Sequence, residues 1–498
     1  MTGSTTVAGV AALVQEALKA YDDDPAITAV LQGFARRLAE PLRVAVAGMV
    51  KAGKSTLLNA IIGEEIAPTD TGECTRIVTW YRHGQTPRIT LYPTHGSPRS
   101  LPLKRVDGRL VFVLGDTQAG DVDRLDVEWP SPTLRNMTLI DTPGLASLSE
   151  DVSARSHSFL APADTPSEAD AIIYLMRHMH ASDMRFLESF RDTEAGQSGT
   201  VNAIAVLSRA DEMGAGRIDS LLSAGEIAER YRRDQGLRKL ALGVVPVAGL
   251  LAQSARTMRQ QDFAALQLLA GLNRADREKM LLSADRFLRS TIPEGLTSGT
   301  RSSLLARYGL FGIRLAVVLI PNGFDEPTPL AHELVRRSGL DSLLDLLGRQ
   351  FQARAEVLKA RTALVGVESL LRTSPRPGTG HLAATLERLH ANAHEFRELR
   401  LLAMLRTAGV PLSPELGMEA EGLVGGWGAA SHVRLGMDQG ATLDELADEA
   451  RRYLLRWRAV AENPLTDRSA LDACRVVIRS CEGLLAEFSA RGRQRQPV

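Results

Sequence analysis

Gly48-Met49-Val50-Lys51-Ala52-Gly53-Lys54-Ser55-Thr56 follows the apolar run Leu42 to Ala47, so a buried strand would deliver the chain straight into a glycine-rich loop. The spacing G-x-x-x-x-G-K-[ST] predicts a phosphate cradle. Glycines let backbone N–H groups approach phosphate oxygens, the lysine neutralises β/γ charge, and the next hydroxyl reaches Mg2+. A helix expected over Lys54 to Ile62, stopped by Gly63, would point its N-terminal dipole at the same anions. Gly48, Lys51, Ala52, Gly53, Lys54, Ser55 and Thr56 are therefore the first candidate nucleotide-binding residues.

A phosphate loop alone does not separate kinases, ATPases and GTPases, so the other sites must lie at compatible positions. After Thr138-Leu139-Ile140 comes Asp141-Thr142-Pro143-Gly144. An aspartate at a strand's carboxyl end can hold the water shell of Mg2+, and the amide of Gly144 can meet a γ-phosphate. Alone, such a tetrapeptide is a common turn. After the next apolar run, Ala203 to Leu207, stands Ser208-Arg209-Ala210-Asp211, where a GTPase carries [NT]-K-x-D. Asp211 can accept from the guanine N1–H and amino group, and the Arg209 stem can cover the base, with Ser208 in place of the more usual Thr or Asn. This degenerate form favours GTP and leaves ATP or relaxed specificity open. The run Leu242 to Val247 ends in Ala248-Gly249, where a last base-contacting loop would lie.

Between the loop helix and the second strand runs Pro68 to Arg76, polar and glycine-containing. Thr75 is the expected switch threonine, completing Mg2+ coordination with Ser55 and Asp141 and fixing the attacking water; a plain loop threonine is the alternative. Cys74 beside it reads as a small buried residue. His178-Met179-His180 has no third ligand at useful spacing and reads as a surface loop.

The chain has 498 residues with 59 basic and 59 acidic side chains, so no global field recruits nucleic acid, and two or three domains are expected. Three cysteines without a C-x-x-C pair fit a reducing compartment, and the N-terminus lacks a basic secretory leader. The apolar stretch Leu310 to Ile320 carries Arg314 and would extend only roughly 16 Å as a helix, against a hydrocarbon core of about 30 Å. Membrane contact is expected to be peripheral.

Short apolar runs alternate with helical text from Leu42 to about Val247, namely Val44 to Ala47, Ile77 to Tyr81, Met137 to Ile140, Ala171 to Met176, Ala203 to Leu207 and Leu242 to Val247. This is the grammar of an α/β domain with a mainly parallel sheet flanked by helices. Past Glu326 no strand is expected. Leu344, Phe351, Leu358 and Val365 recur every seven residues, and the rows Leu443 to Trp457 and Leu471 to Phe488 alternate threes and fours, as in an antiparallel bundle. A helix over Leu334 to Arg372 would reach on the order of 55 Å, predicting an elongated α-helical neck and trunk. The expected domains are 1–40, a helix joining the neck; 41–325, the nucleotide domain; and 326–498, the bundle.

Phosphate loop, Cys74-Thr75-Arg76, Asp141-Thr142-Pro143-Gly144, Ser208-Arg209-Ala210-Asp211 and the long helical region together resemble the dynamin superfamily. The string Lys51-Ala52-Gly53-Lys54-Ser55-Thr56-Leu57-Leu58-Asn59-Ala60 is typical of its bacterial branch, and the wording is most similar to the mycobacterial isoniazid-inducible dynamin-like proteins. The resemblance implies a large GTPase that turns GTP into GDP with Mg2+, dimerises through its nucleotide face, possesses a helical neck, and works peripherally at a phospholipid membrane. Carried over by position, Lys54 holds phosphates, Ser55 and Thr75 bind Mg2+, Asp141 holds it through water and Asp211 reads guanine. Lys51 departs from the superfamily's pattern of a glutamine and a serine inside the loop. It either supplies charge to the transferring phosphoryl or packs its stem on a neighbouring subunit.

The leading expectation is a membrane-acting GTPase on the inner face of the plasma membrane, as a homodimer or a mixed assembly with a related subunit. A soluble GTPase switch whose bundle docks a protein, and a ribosome-associated GTPase, are the alternatives; neutral charge counts against the last. For lipid contact, chain parity favours the turns Ser374 to Gly380, with Arg372 and Arg376, and Asn463 to Thr466. Hydrophobicity favours Gly409 to Gly440, with Leu412, Leu416, Met418, Leu423, Val424 and Trp427, which parity puts near the nucleotide domain; the two criteria disagree, neither segment is assigned to lipid, and Trp427 has packing against the trunk as its alternative.

Overall fold

Strands β1 Leu42–Gly48, β9 Ala171–Met176 and β10 Ala203–Ser208 are almost wholly buried, because helices cover both faces of the sheet and leave no side for polar alternation. This computed structural model describes residues 2–68, 77–106, 109–143, 167–190, 201–407 and 409–494. The remaining strands are β2 Val78–His83, β3 Arg88–Pro93, β4 Arg99–Leu101, β5 Lys104–Val106, β6 Arg109–Val111, β7 Val122–Trp129, β8 Met137–Asp141 and β11 Val244–Val247. Nine of them form one sheet in the order β11-β10-β9-β1-β8-β2-β7-β3-β4, and β5 pairs with β6 separately.

All six expected strands form. The five from β11 to β8 run parallel, whereas β2 lies antiparallel to β8, and β3 and β4 complete an antiparallel edge. The sequence reading lacked β3 to β7. In β7, Val122, Leu125, Val127 and Trp129 face the core while Asp123, Arg124 and Glu128 do not, so the strand is charged on one side.

The helix Ser298–Leu319 is, with its extension to Asn322, long and apolar enough to cross a membrane by length and composition alone. Here it is a core element. Leu304, Tyr308, Phe311, Ile313 and Ala316 pack under the sheet, and Arg314 donates to the Leu281 carbonyl at 2.9 Å. Gly309, with φ +62°, kinks it.

The expected single helix over Leu334 to Arg372 is corrected to three, Pro327–Ser338, Leu340–Gln350 and Ala355–Thr373. Gly339 makes the first break. Its φ is +83° and an added Cβ would stand 2.1 Å from the Pro246 carbonyl oxygen, so the chain turns there against β11. At the second break Arg354 turns inward, donating to Gln350 and to the Val424 carbonyl. The heptad row of Leu344, Phe351, Leu358 and Val365 therefore spans two helices and is no continuous seam. The Leu443–Glu462 and Arg468–Gln494 helices do form an antiparallel hairpin, burying Leu446, Ala450, Trp457, Cys474, Cys481 and Phe488.

The N-terminal helices Thr2–Ala20 and Pro25–Ala39 pack on Ala355–Thr373 and Gly380–Asn392 around Val10, Leu13, Leu31, Phe34, Leu364 and Leu382. The Asp24 side chain caps the second of them, accepting from Ala26 and Ile27. Phe34 fills a notch at Gly366, where an added Cβ would lie 2.1 Å from its ring. Gly366→Ala should therefore cost about 1–3 kcal/mol. In a double-mutant cycle read by urea denaturation, Phe34→Leu should recover part of that loss. Strictly additive effects would show that the ring is not seated there.

Candidate functional site

The loop after β1 is shaped by three residues in the left-handed region. Gly48 has φ +148°, and a Cβ there would stand 2.4 Å from the Leu175 carbonyl oxygen. Lys51 has φ +64° and Gly53 φ +95°, the latter just before the helix Lys54–Ile62. A non-glycine residue in this region stores strain and is held by its neighbours. The helix ends at Gly63 as expected.

Lys54 folds its ammonium back onto the Gly48 and Met49 carbonyls at 3.1 and 3.4 Å. Burial pulls its pKa down and the charge of Asp141 opposes that pull. Asp141 sits at the end of β8, in register with Val46 of β1. It accepts from the Ser55 hydroxyl at 3.0 Å. Burial pushes its carboxyl up to about 6, against the opposing effects of Lys54 and Ser55. Thr142 then bonds the Val46 carbonyl at 2.9 Å, fixing the strand end. An ammonium, a hydroxyl and a carboxylate thus converge where the helix begins. Thr75 and Gly144 lie outside the described residues, as does Cys74.

The second half of the site is a cavity of about 190 Å3 beside the loop, walled by Thr56, Leu175, Arg209, Asp211, Gly249 and Leu250 among others. Burial raises the Asp211 carboxyl above its ordinary range. Arg209, with φ +53°, reaches across to donate to the Lys51 carbonyl at 3.1 Å and pairs with Glu212 at 2.7 Å; Arg177 pairs with the same carboxylate. That contact ties the base loop to the strained residue of the phosphate loop.

Not every candidate points into the site. The Ser208 hydroxyl is buried and bonds the Met176 carbonyl at 3.2 Å, stitching β10 to β9. The Ala248 amide is committed to the Ser338 carbonyl at 2.8 Å, while Gly249 lines the cavity. Sequence reasoning missed Leu175, Val206, Glu212 and Leu250. The first two lie next to the carboxyl ends of expected strands, and that placement was the available signal.

The sequence model of the dynamin family matches residues 44–205. Over 488 residues, 97% of this chain and 99% of the relative, the protein is 42% identical to the isoniazid-induced protein IniC of Mycobacterium tuberculosis. It is 30% identical over 164 residues to a bacterial dynamin-like protein of Nostoc punctiforme, covering 30% of this chain and 22% of that one. It is also 25% identical over 311 residues to the isoniazid-induced protein IniA of M. tuberculosis, covering 61% and 44%. With near full-length identity to one relative and the family model resting on the strand and loop that build the site, the chain belongs to the bacterial branch of the dynamin family of GTP-hydrolysing large GTPases.

Proposed function

We propose that the protein binds GTP across this face with Mg2+, closes it against a second GTPase domain, and couples hydrolysis to work at a membrane. The observation that carries the reading is the convergence of Lys54, Ser55 and Asp141 beside a cavity walled by Asp211. The cavity runs from Ala52, Gly53 and Thr56 of the phosphate loop and its helix to Asp211, which supports a triphosphate at one end and a purine at the other. Lys54 would turn from two carbonyls to the phosphates. Ser55 and Thr75 would ligate Mg2+, Asp141 would hold it through water, and the Gly144 amide would meet the γ-phosphate. The metal would supply charge neutralisation between the β- and γ-phosphoryl oxygens. Asp211 would accept both guanine donors, with Arg209 over the ring. Lys51 is exposed and pinned through its carbonyl, which suits a contribution to the transferring phosphoryl from within a closed dimer.

On this reading the protein works at the cytoplasmic face of the plasma membrane, as a homodimer or beside a related subunit. Arg376, in the turn Ser374 to Gly380, pairs with Asp23 and stacks 4.7 Å over Tyr21, whose hydroxyl bonds the Ser374 carbonyl. The turn between the two N-terminal helices thus packs against this cation.

Lys54→Ala should lower GTP turnover at least about a hundredfold, since it removes the cation placed at the phosphates. Asp211→Asn should weaken GTP by about a hundredfold or more and turn preference to xanthosine triphosphate, because the amide presents a donor where guanine also donates. Unchanged GTP affinity in calorimetry would reject Asp211 as the reader. A third outcome concerns pH. The folded, nucleotide-free Asp141 has its pKa raised from 3.8 to about 6, so below about 6 it holds a proton that Mg2+ binding must expel. Affinity for Mg-GTP should thus fall by up to about tenfold per pH unit below 6. Asp141→Asn should abolish the part of the proton release seen by calorimetry near pH 5.5 that does not belong to the nucleotide. A release identical in both proteins would remove the metal role.

A further inference from the structure

We propose that the cleft between β11 and the turn at residues 424–430 seats the phosphate of an anionic phospholipid headgroup, with Trp427 entering the interfacial layer of the bilayer. The inference rests on the membrane reading above and states where on this chain the bilayer is met.

The cleft has a volume of about 530 Å3, bounded on one side by Leu242 to Pro246 and on the other by Gly426 and Trp427. Arg232, Arg336, Arg337 and Arg349 line it, and the carboxylates of Glu229 and Glu333 pair with the first three. In a chain with 59 cationic and 59 anionic side chains this is a local departure from neutrality. Arg336 and Arg337 are held by Glu333 at 2.7 and 2.6 Å, and Arg232 by Glu229, each leaving donors of the guanidinium fork to spare. Arg349 is exposed and carries no salt bridge among the described residues. Planar guanidinium groups match phosphate oxygens in pairs.

The turn beside the cleft is built to present one ring. Trp427 is 48% exposed, whereas Trp80, Trp129 and Trp457 are buried. Its indole packs on Gly422, where an added Cβ would meet the ring at 2.8 Å. The backbone under it is fixed at several points. Gly426 donates to the Glu421 carbonyl at 2.7 Å, Gln350 donates to the Gly426 carbonyl at 2.8 Å, and Gly428 donates to Gly425 at 3.0 Å. Met418, one turn before Gly422 on the same helix face, is 53% exposed. An exposed indole beside guanidinium groups suits a surface with charge at one depth and hydrocarbon at the next, which describes a bilayer. This is the segment that hydrophobicity singled out in the sequence. Its Leu423 and Val424 are core residues here, which leaves Trp427 and Met418 as its outward apolar side chains.

Because three of the four tryptophans are buried, quenching by phosphatidylglycerol brominated on its acyl chains reads Trp427. The full-length protein should be quenched by such vesicles and much less by brominated phosphatidylcholine, with Trp427→Phe still pelleting but losing the quench. Arg349→Glu, outside the nucleotide site, should weaken partition to phosphatidylglycerol vesicles by about five- to thirtyfold, from about 1 kcal/mol per basic charge near the surface, and leave lipid-free GTP hydrolysis unchanged. Pelleting without a quench, or with Arg349→Glu unaltered, would overturn this surface while the membrane reading stands. No pelleting at low salt would remove both. If inorganic phosphate at millimolar concentration or polyglutamate competes as well as soluble headgroup analogue and vesicles give no quench, the cleft takes free anions or an acidic protein, and the bilayer assignment falls.

Discussion

A polyphosphate site must fold before its ligand arrives, so its charges need partners that the ligand can later replace. Lys54 and Asp141 face this constraint together. The ammonium rests on two loop carbonyls, the carboxylate rests on Ser55, and each tempers the cost of burying the other. Their separation is set by the ladder that pairs Val46 with Asp141, not by a loop. Hence β1 and β8 must be neighbours, and β9 must pass close enough to Gly48 that no side chain fits there. The rest of the sheet extends from these three strands.

The helical body is joined to that sheet by buried polar ties at two places. Asp170, at the root of β9 and 2% exposed, accepts from Arg37 at 2.7 Å and from the Arg43 amide at 2.9 Å. Nearby, Lys359 of the neck donates to the carbonyls of Leu38 and Glu40, closing the end of the second N-terminal helix. Across the molecule, Glu421 pairs with Arg406 at 3.0 Å and with Arg238 of the nucleotide domain at 2.8 Å, and Arg406 also caps the Ala241 carbonyl. Replacing such pairs by apolar groups can be neutral, but removing one partner costs about 3–5 kcal/mol. These ties specify how the two bodies meet more than they add stability.

Much of this was written locally. The phosphate loop, its helix and stop, and the six apolar strands follow from residues adjacent in sequence. So do the Leu443 and Leu471 hairpin rows, because a buried stripe at helical spacing needs no distant information. What was not legible depended on distant partners. The strands from Arg88 to Trp129 are short or interrupted by charge, as in β7, where Asp123, Arg124, Asp126 and Glu128 stand among Val122, Leu125, Val127 and Trp129, and such charged text hides its buried face. The break at Gly339 is required by the Pro246 carbonyl, which lies in another element. Ser208 and Ala248 sit at the right positions for base contact, but neighbouring carbonyls claim their donors.

A further tie lies inside the nucleotide domain, between the end of the phosphate-loop helix and the kinked helix Ser298–Leu319. Glu65, two residues beyond the helix stop at Gly63, is buried and takes Arg307 at 2.6 Å and Arg109 at 3.1 Å. Arg307 in turn holds Asp262 at 3.1 Å and the Thr257 carbonyl at 2.7 Å. Every polar atom of this cluster that the low dielectric would penalise therefore has a partner close by. Two residues after Arg307 the helix bends at Gly309, and it then runs to the turn that starts Pro327–Ser338. A shift at the end of the phosphate-loop helix would strain charged contacts, not soft aliphatic ones, and the kinked helix is the element positioned to relieve that strain. Glu65 and Arg307 thus tie the end of the phosphate-loop helix to the kinked helix through charge rather than through apolar packing.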